Sequence, residues 1–174
     1  MTDCLLIFPN NLFKIKYLPK KVKNIFLIED PLFFGDKERI ENYSKIKLVL
    51  HRASMKYYQD LLNENNYKVK YIEFNKVKKY TFLKKYNNIH HFELADHLLL
   101  KRLENSLNKS QELIMYNSPL FLLTLDDLNE YQKTKGKSKT FFHKHFYDWQ
   151  LKKLNIPYIS KSYDTENRNA VPKN

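Results

Sequence analysis

Short apolar runs alternate along the chain with longer stretches in which apolar residues return every three or four positions. Cys4–Phe8 and Asn24–Ile28 are almost continuously apolar and are closed by Pro9-Asn10-Asn11 and Glu29-Asp30-Pro31. Runs of this kind suit strands covered on both faces, as in a parallel sheet. From about Asn42 to Asn65, Ile46, Val49, Leu50, Ala53, Tyr57 and Leu61 recur at helical spacing, with Lys45, Arg52, Lys56, Gln59 and Asn63 largely on other faces. This pattern predicts a long helix whose apolar stripe meets the core. Val69–Phe74, Ile89–Phe92 and Leu113–Tyr116 read as three further strands. A short helix near Thr81–Tyr86 separates the first two, and a helix capped by Asp96 and carrying Leu98, Leu99, Arg102, Leu103 and Leu107 separates the last two.

Five strand signals alternating with helical ones favour an α/β fold, a parallel sheet with helices on both faces. After Asn117-Ser118-Pro119 the pattern turns helical. Thr124-Leu-Asp-Asp127 resembles a capping box. It should start a helix through Leu128 and Tyr131 that stops before Gly136, followed by a basic loop over Lys133–Lys139. A second helix is expected from Thr140 to Leu154, with Phe142, Phe146 and Trp149 on one stripe. The expected organisation is one α/β domain over 1–160, including a C-terminal helical extension, and a polar tail over 161–174.

The formal net charge of +12 changes the picture, because such an excess attracts phosphate polymers or an acidic surface. Arg39, Arg52, Arg102 and Arg168 are the only arginines, and Lys is joined by abundant Asn, Ile, Tyr and Phe, the residues of AT-rich codons. A low-GC genome and contact with nucleic acid therefore account for the charge equally well. The single cysteine, Cys4, excludes an intramolecular disulfide and fits a reducing compartment. The opening run is too short for a signal peptide, and no apolar run reaches the ~20 residues of a membrane helix. The expected location is cytosol, nucleus or a viral factory.

Enzyme signatures are few. Gly35 and Gly136 are the only glycines, so neither glycine-rich phosphate loop can be built. A crevice at the carboxyl ends of the strands would be lined by Pro9, Asn10, Asn11, Glu29, Asp30, Asn117 and Ser118. Each of these also serves as an ordinary turn or capping residue. His90, His91, Glu93, Asp96 and His97 are the densest group of metal-ligand types, but adjacent strand positions point to opposite faces, and no metal site is assigned. Cys4, in a buried strand, reads as an inert apolar group. Lys135, Lys137, Lys139 and Lys144, with Lys152 and Lys153, surround Phe141, Phe142, Tyr147 and Trp149. Lysines on phosphates with an aromatic stacked on a base would make this a nucleic-acid contact, and an amphipathic helix with core aromatics explains the same pattern.

Several stretches carry a resemblance. Ile7-Phe-Pro-Asn-Asn-Leu-Phe13 with Phe26-Leu-Ile-Glu-Asp-Pro-Leu-Phe-Phe34 resembles the opening of the deoxyribodipyrimidine photolyase-related proteins. Leu48-Val-Leu-His-Arg-Ala-Ser-Met-Lys-Tyr-Tyr58 resembles that family's first long helix, and Asn117–Leu123 the segment after its fifth strand. Lys139–Lys153 resembles its aromatic-basic helix, and Ser162-Tyr-Asp-Thr-Glu-Asn-Arg168 with Pro172-Lys173 the phrase closing its N-terminal domain. The pieces stand in family order over nearly the whole chain. The resemblance implies a Rossmann-like doubly wound sheet of about five strands, equivalent to the N-terminal, antenna-type half of a photolyase or cryptochrome-like flavoprotein.

In relatives a helical domain follows and holds FAD, commonly with an iron–sulfur cluster and the lesion pocket. The resemblance thus implies no catalytic residue here, FAD only in a partner polypeptide, and an antenna chromophore, where one binds, near Asn10, Asn11, Glu29, Asp30 and Asn117. Asp30-Pro-Leu-Phe-Phe34 and Asn10-Asn11 depart from the chromophore-binding pattern. Three functions follow as expectations: a split subunit in light-driven DNA repair, a gene remnant, or a basic nucleic-acid-binding module without photochemistry. For the split subunit, Phe33, Phe34, Tyr57, Tyr58, Phe121 and Trp149 are the expected exposed apolar patch.

Overall fold

A computed structural model describes residues 3–37, 43–77, 79–135 and 140–157. Its contacts divide the chain into two compact units, Met1–Phe121 and Leu122–Asn174.

The first unit is built on strands β1 (Asp3–Ile7), β2 (Asn24–Ile28), β3 (Lys68–Ile72), β4 (Asn88–Phe92) and β5 (Glu112–Tyr116). All pairings are parallel and the order is β3-β2-β1-β4-β5. The chain moves outward from β1 to β3, then returns across the sheet to β4. The carboxyl ends of β1 and β4 therefore flank a topological switch point, where doubly wound sheets usually bind ligands. Helix α1 (Pro31–Phe34) follows β2, α2 (Lys45–Glu64) leads to β3, and α3 (His97–Glu104) lies between β4 and β5. Single turns of 3-10 helix occupy Ile15–Tyr17, Phe74–Lys76 and Thr81–Lys85, the last where the sequence predicts a short helix.

Strand alternation gives the sheet two separate cores. Cys4, Leu6, Phe26, Ile28 and Ile89 pack against Leu83, Leu99 and Leu103 on one face. Leu5, Ile7, Ile25, Leu27 and Phe92 pack against Phe13, Met55, Tyr58 and Leu62 on the other. Cys4 sits in the first core, where burial pushes its thiol up to about 12. His90 and His91 lie on opposite faces of β4, both buried.

Helix α2 corrects the sequence reading. It buries Met55, Tyr58 and Leu62, whereas Ile46, Val49, Leu50, Ala53 and Tyr57 face outward. The sequence carries two apolar stripes on one helix, and periodicity alone does not say which faces the sheet. Tyr58 accordingly leaves the expected exposed patch: it is buried and its hydroxyl donates to the Phe13 carbonyl at 2.6 Å. Of the other patch residues in this unit, Tyr57 and Phe121 are exposed, while Phe33 and Phe34 are partly buried against the two cores.

The second unit contains α4 (Leu125–Thr134) and α5 (His143–Lys153). Thr124 and Asp127 form the capping box read from the sequence: Thr124 Oγ1 accepts from the Asp127 N–H, and the Thr124 N–H donates to Asp127 Oδ2 at 2.7 Å. Tyr131 is buried among Phe141, Phe146 and Trp149, with ring centroids 4.9–5.6 Å away. Lys137, Lys139 and the tail 161–174 lie outside the described residues.

Candidate functional site at the switch point

The crevice residues fall into two classes. Glu29 and Asp30, at the end of β2, are adjacent and so point to opposite faces of the sheet; both are fully buried. Glu29 turns toward α2. Its carboxylate accepts from Arg52 Nε and Nη2, each at 2.7 Å, from the Tyr71 hydroxyl at 2.6 Å and from the Phe74 N–H at 3.1 Å. Asp30 turns toward α3. Its Oδ1 accepts from the Leu32 N–H at 2.9 Å, capping α1, and from Arg102 Nη1 at 3.1 Å. Its Oδ2 accepts from the buried Tyr80 hydroxyl at 2.5 Å. Arg102 also meets Asp36 at 2.8 Å.

Each face of the sheet is thus tied to its covering helix by one carboxylate–arginine pair. At Glu29 the planar fork of Arg52 meets both carboxylate oxygens, a geometry lysine does not supply. Burial pushes the Glu29 carboxyl up, but the bonds from Arg52, Tyr71 and Phe74 outweigh it and hold the group below its ordinary 4.5. For Asp30, burial prevails over the bonds from Tyr80, Leu32 and Arg102, and its carboxyl lies above the ordinary 3.8. Four donors fill the acceptor sites of Glu29, and three donors, Leu32, Arg102 and Tyr80, hold Asp30. Sequence reasoning missed Arg52, Tyr71, Tyr80 and Arg102. The scarcity of arginine, with one in each of two predicted helices after an adjacent acidic pair, is the signal that could have found the two arginines.

The other residues leave more room. Pro9 and Asn11 are buried in the turn after β1, which is closed by the Asn11 N–H on the Phe8 carbonyl at 2.9 Å. Asn11 Oδ1 is buried without a hydrogen-bond partner among the described residues. A buried amide oxygen in that state fits a donor from a ligand or an ordered water. Asn10 and Asn117 are exposed, and Ser118 is buried with its Oγ accepting from the Leu120 N–H. Asn10 and Asn11 follow β1 on one side of the switch point, and Asn117 and Ser118 follow the edge strand β5. Among the described residues no three His, Cys, Asp or Glu side chains come together to hold a metal ion.

In the second unit, Lys144 is exposed and borders a concavity with Asp148, Leu151, Lys152, Asn155 and Ile156. Phe141, Phe142 and Tyr147 are also exposed. Lys135 is half-buried, its ammonium 5.1 Å from the Tyr131 ring centre. Trp149 is half-buried, stacked on Phe146 and covered by Lys153, which also pairs with Asp127 and Glu130. The lysine–aromatic pattern is therefore divided: Tyr131, Phe146 and Trp149 pack on one another, and Phe142 and Tyr147 stay open to solvent beside Lys144.

Fold and site together define a doubly wound α/β protein in which Glu29 and Asp30, at the end of β2, are held by arginines. The particular family is shown by its match: residues 5–174 correspond to the family described as deoxyribodipyrimidine photo-lyase-related protein, and the chain belongs to it. It is also 38% identical over 189 residues to the uncharacterized protein R852 of Acanthamoeba polyphaga mimivirus, across 99% of this chain and 96% of that one.

Proposed function

We propose that this chain is the α/β subunit of a split photolyase-related protein, with FAD supplied on a helical domain carried by a separate polypeptide. One observation carries the reading. The family match covers the described α/β fold, and the viral relative is matched over 96% of its own length. A remnant under decay would not be expected to keep two complete cores and a reciprocal capping box. The strand-end carboxylates are held by arginines, which fits a supporting role rather than catalysis by this chain alone. The place of action is the cytosol, nucleus or a viral factory, where damaged DNA and a reducing medium coincide. An antenna chromophore would meet Asn10, Asn11 and Asn117, without the help of Glu29 or Asp30.

The test is co-expression of the tagged chain with the helical, flavin-domain polypeptide of the same genome. The expected result is a one-to-one complex that carries FAD, while the chain purified alone carries none. Stoichiometric FAD on the chain alone would overturn the assignment. A second reading is supported by the exposed Phe142 and Tyr147 beside Lys144: a nucleic-acid module acting without light. It predicts DNA affinity that falls steeply with salt and does not change on illumination.

A further inference from the structure

Lysines line the outer part of one sheet face. Lys68 and Lys70 of β3 stand beside Asn24 and Phe26 of β2 in the parallel register, on the face that carries the first core. Ile72 continues that row into the core, whereas Lys68 and Lys70 are exposed. Between them and the 3-10 turn Thr81–Lys85 lie two hollows, of about 330 and 390 Å³, that share Phe26, Lys70 and Lys85. Joined, they make one groove, with Lys68 and Lys70 on the strand side and Lys84 and Lys85 on the other.

No carboxylate lines either hollow. Lys68, Lys70 and Lys84 make no ion pair among the described residues. Over Asn65–Asn87 the sequence holds seven lysines and a single carboxylate, Glu73. Glu73 pairs with Lys76 at 3.3 Å rather than with the groove. Codon composition raises lysine along the whole chain, but it does not clear acidic residues from one groove. Like charges gathered without counter-charges destabilise the free protein, and a polyanion laid among them removes that repulsion.

The aromatic residues decide which polyanion fits. Sites for single strands combine a basic groove with open ring faces on which bases stack. Here Tyr86 is buried and Phe82 partly buried, and both pack on Phe26, with ring centroids 5.5 and 4.9 Å away. The groove therefore presents ammonium groups beside rings already engaged in the core. That suits the phosphate backbone of a duplex, whose bases are stacked on one another. Lys68 and Lys70 follow each other at about 6.6 Å along the strand, a step on the scale of neighbouring phosphates.

We propose that the groove between β3 and the turn Thr81–Lys85 is a sequence-independent docking site for the phosphate backbone of double-stranded nucleic acid, contacted by Lys68, Lys70, Lys84 and Lys85. It belongs to the first unit, so it rests neither on the flavin-bearing partner nor on Lys144 of the second.

The test is fluorescence anisotropy of the full chain with a labelled DNA duplex of mixed sequence, between 50 and 200 mM salt. Four phosphate contacts contribute about −3.6 to the slope of log affinity against log salt. Lys70→Glu with Lys84→Glu, which reverses one lysine on each wall, should weaken binding at the lowest salt more than about tenfold and flatten the slope by about two. Its melting temperature should be equal or higher, because it relieves repulsion among the lysines. Lys45→Glu with Lys47→Glu makes the same change of net charge on α2, which covers the other face of the sheet, and should weaken binding by less than about threefold. The single strand of the same sequence should bind more weakly than the duplex. Equal losses from the two reversed pairs would show that net charge alone attracts DNA and would overturn the site. Tighter binding of the single strand, or no binding at the lowest salt, overturns it as well. Should the groove reversal unfold the chain, Lys70→Gln with Lys84→Gln makes the same test with about half the loss in log affinity, and no loss there overturns the proposal.

Discussion

Glu29 and Asp30 are neighbours in sequence with opposite electrostatic histories. The Glu29 carboxyl is held below its ordinary 4.5, so its bonds add stability that is complete above that pH and is lost as the pH falls through the lower, folded-state value. Asp30 is displaced upward by burial, so its charge costs stability above the ordinary 3.8 and the cost is relieved as the pH falls through its raised value. Glu29→Gln is therefore expected to destabilise the fold at neutral pH by about 3 kcal/mol, the scale for breaking a buried pair. Its deficit against the wild type should shrink in acid below 4.5. Asp30→Asn keeps an N-cap and removes the buried charge, so it should cost less than Glu29→Gln at neutral pH. Urea midpoints across pH check both, and the reverse ranking would contradict the assignment. Asn66 makes a second residue-scale case. It stands at φ 62° just after α2, where the Tyr67 N–H reaches the Leu62 carbonyl and the Asn66 N–H reaches the Asn63 carbonyl. That closure asks for a left-handed residue, and in a chain with two glycines asparagine takes the place. Asn66→Gly should leave stability equal or raise it, and Asn66→Val should lower it by about 1–2 kcal/mol, read from thermal melts.

At the scale of elements, Thr124→Ala should lower the stability of α4 by about 1 kcal/mol, since it removes one half of the reciprocal cap. Circular dichroism on the isolated change checks this, and a neutral result would mean that the aromatic packing around Tyr131 fixes the helix without its cap. This capping box, the Asp96 cap of α3 and all five strands were legible in the sequence, because each rests on short-range chemistry: a hydroxyl or carboxylate three residues from an N–H, or a run of branched apolar residues. The orientation of α2 was not legible. Its two stripes have equivalent spacing, and the choice is made by contacts more than twenty residues away, Tyr58 to Phe13 and Arg52 to Glu29. The brief helix α1 was missed for another reason: Pro31 after Asp30 reads as the end of a strand and is equally the first residue of a capped turn. At the candidate site, the sequence named the crevice residues but not their states. Whether a carboxylate is free or held depends on which arginine the fold brings to it.

For the whole molecule, the parallel order with its switch between β1 and β4 agrees with what the family resemblance implies. No helix among the described residues is long and apolar enough to cross a membrane. The net charge of +12 sets an expectation at this scale for the proposed nucleic-acid contact. If Lys144 and its neighbours touch phosphates, Lys144→Glu should weaken DNA binding and lower the slope of log affinity against log salt by more than about one unit. An unchanged slope would assign the charge around Lys144 to codon composition alone.

The central claim is that this chain carries the α/β half of a photolyase-related protein and leaves the flavin to a partner. The most direct measurement is the flavin-to-protein ratio of the purified chain, alone and in complex with the helical-domain polypeptide of the same genome. The account predicts a ratio near zero alone and near one in the complex. Bound flavin without the partner, or a helical polypeptide that loads FAD fully and never binds this chain, would contradict it.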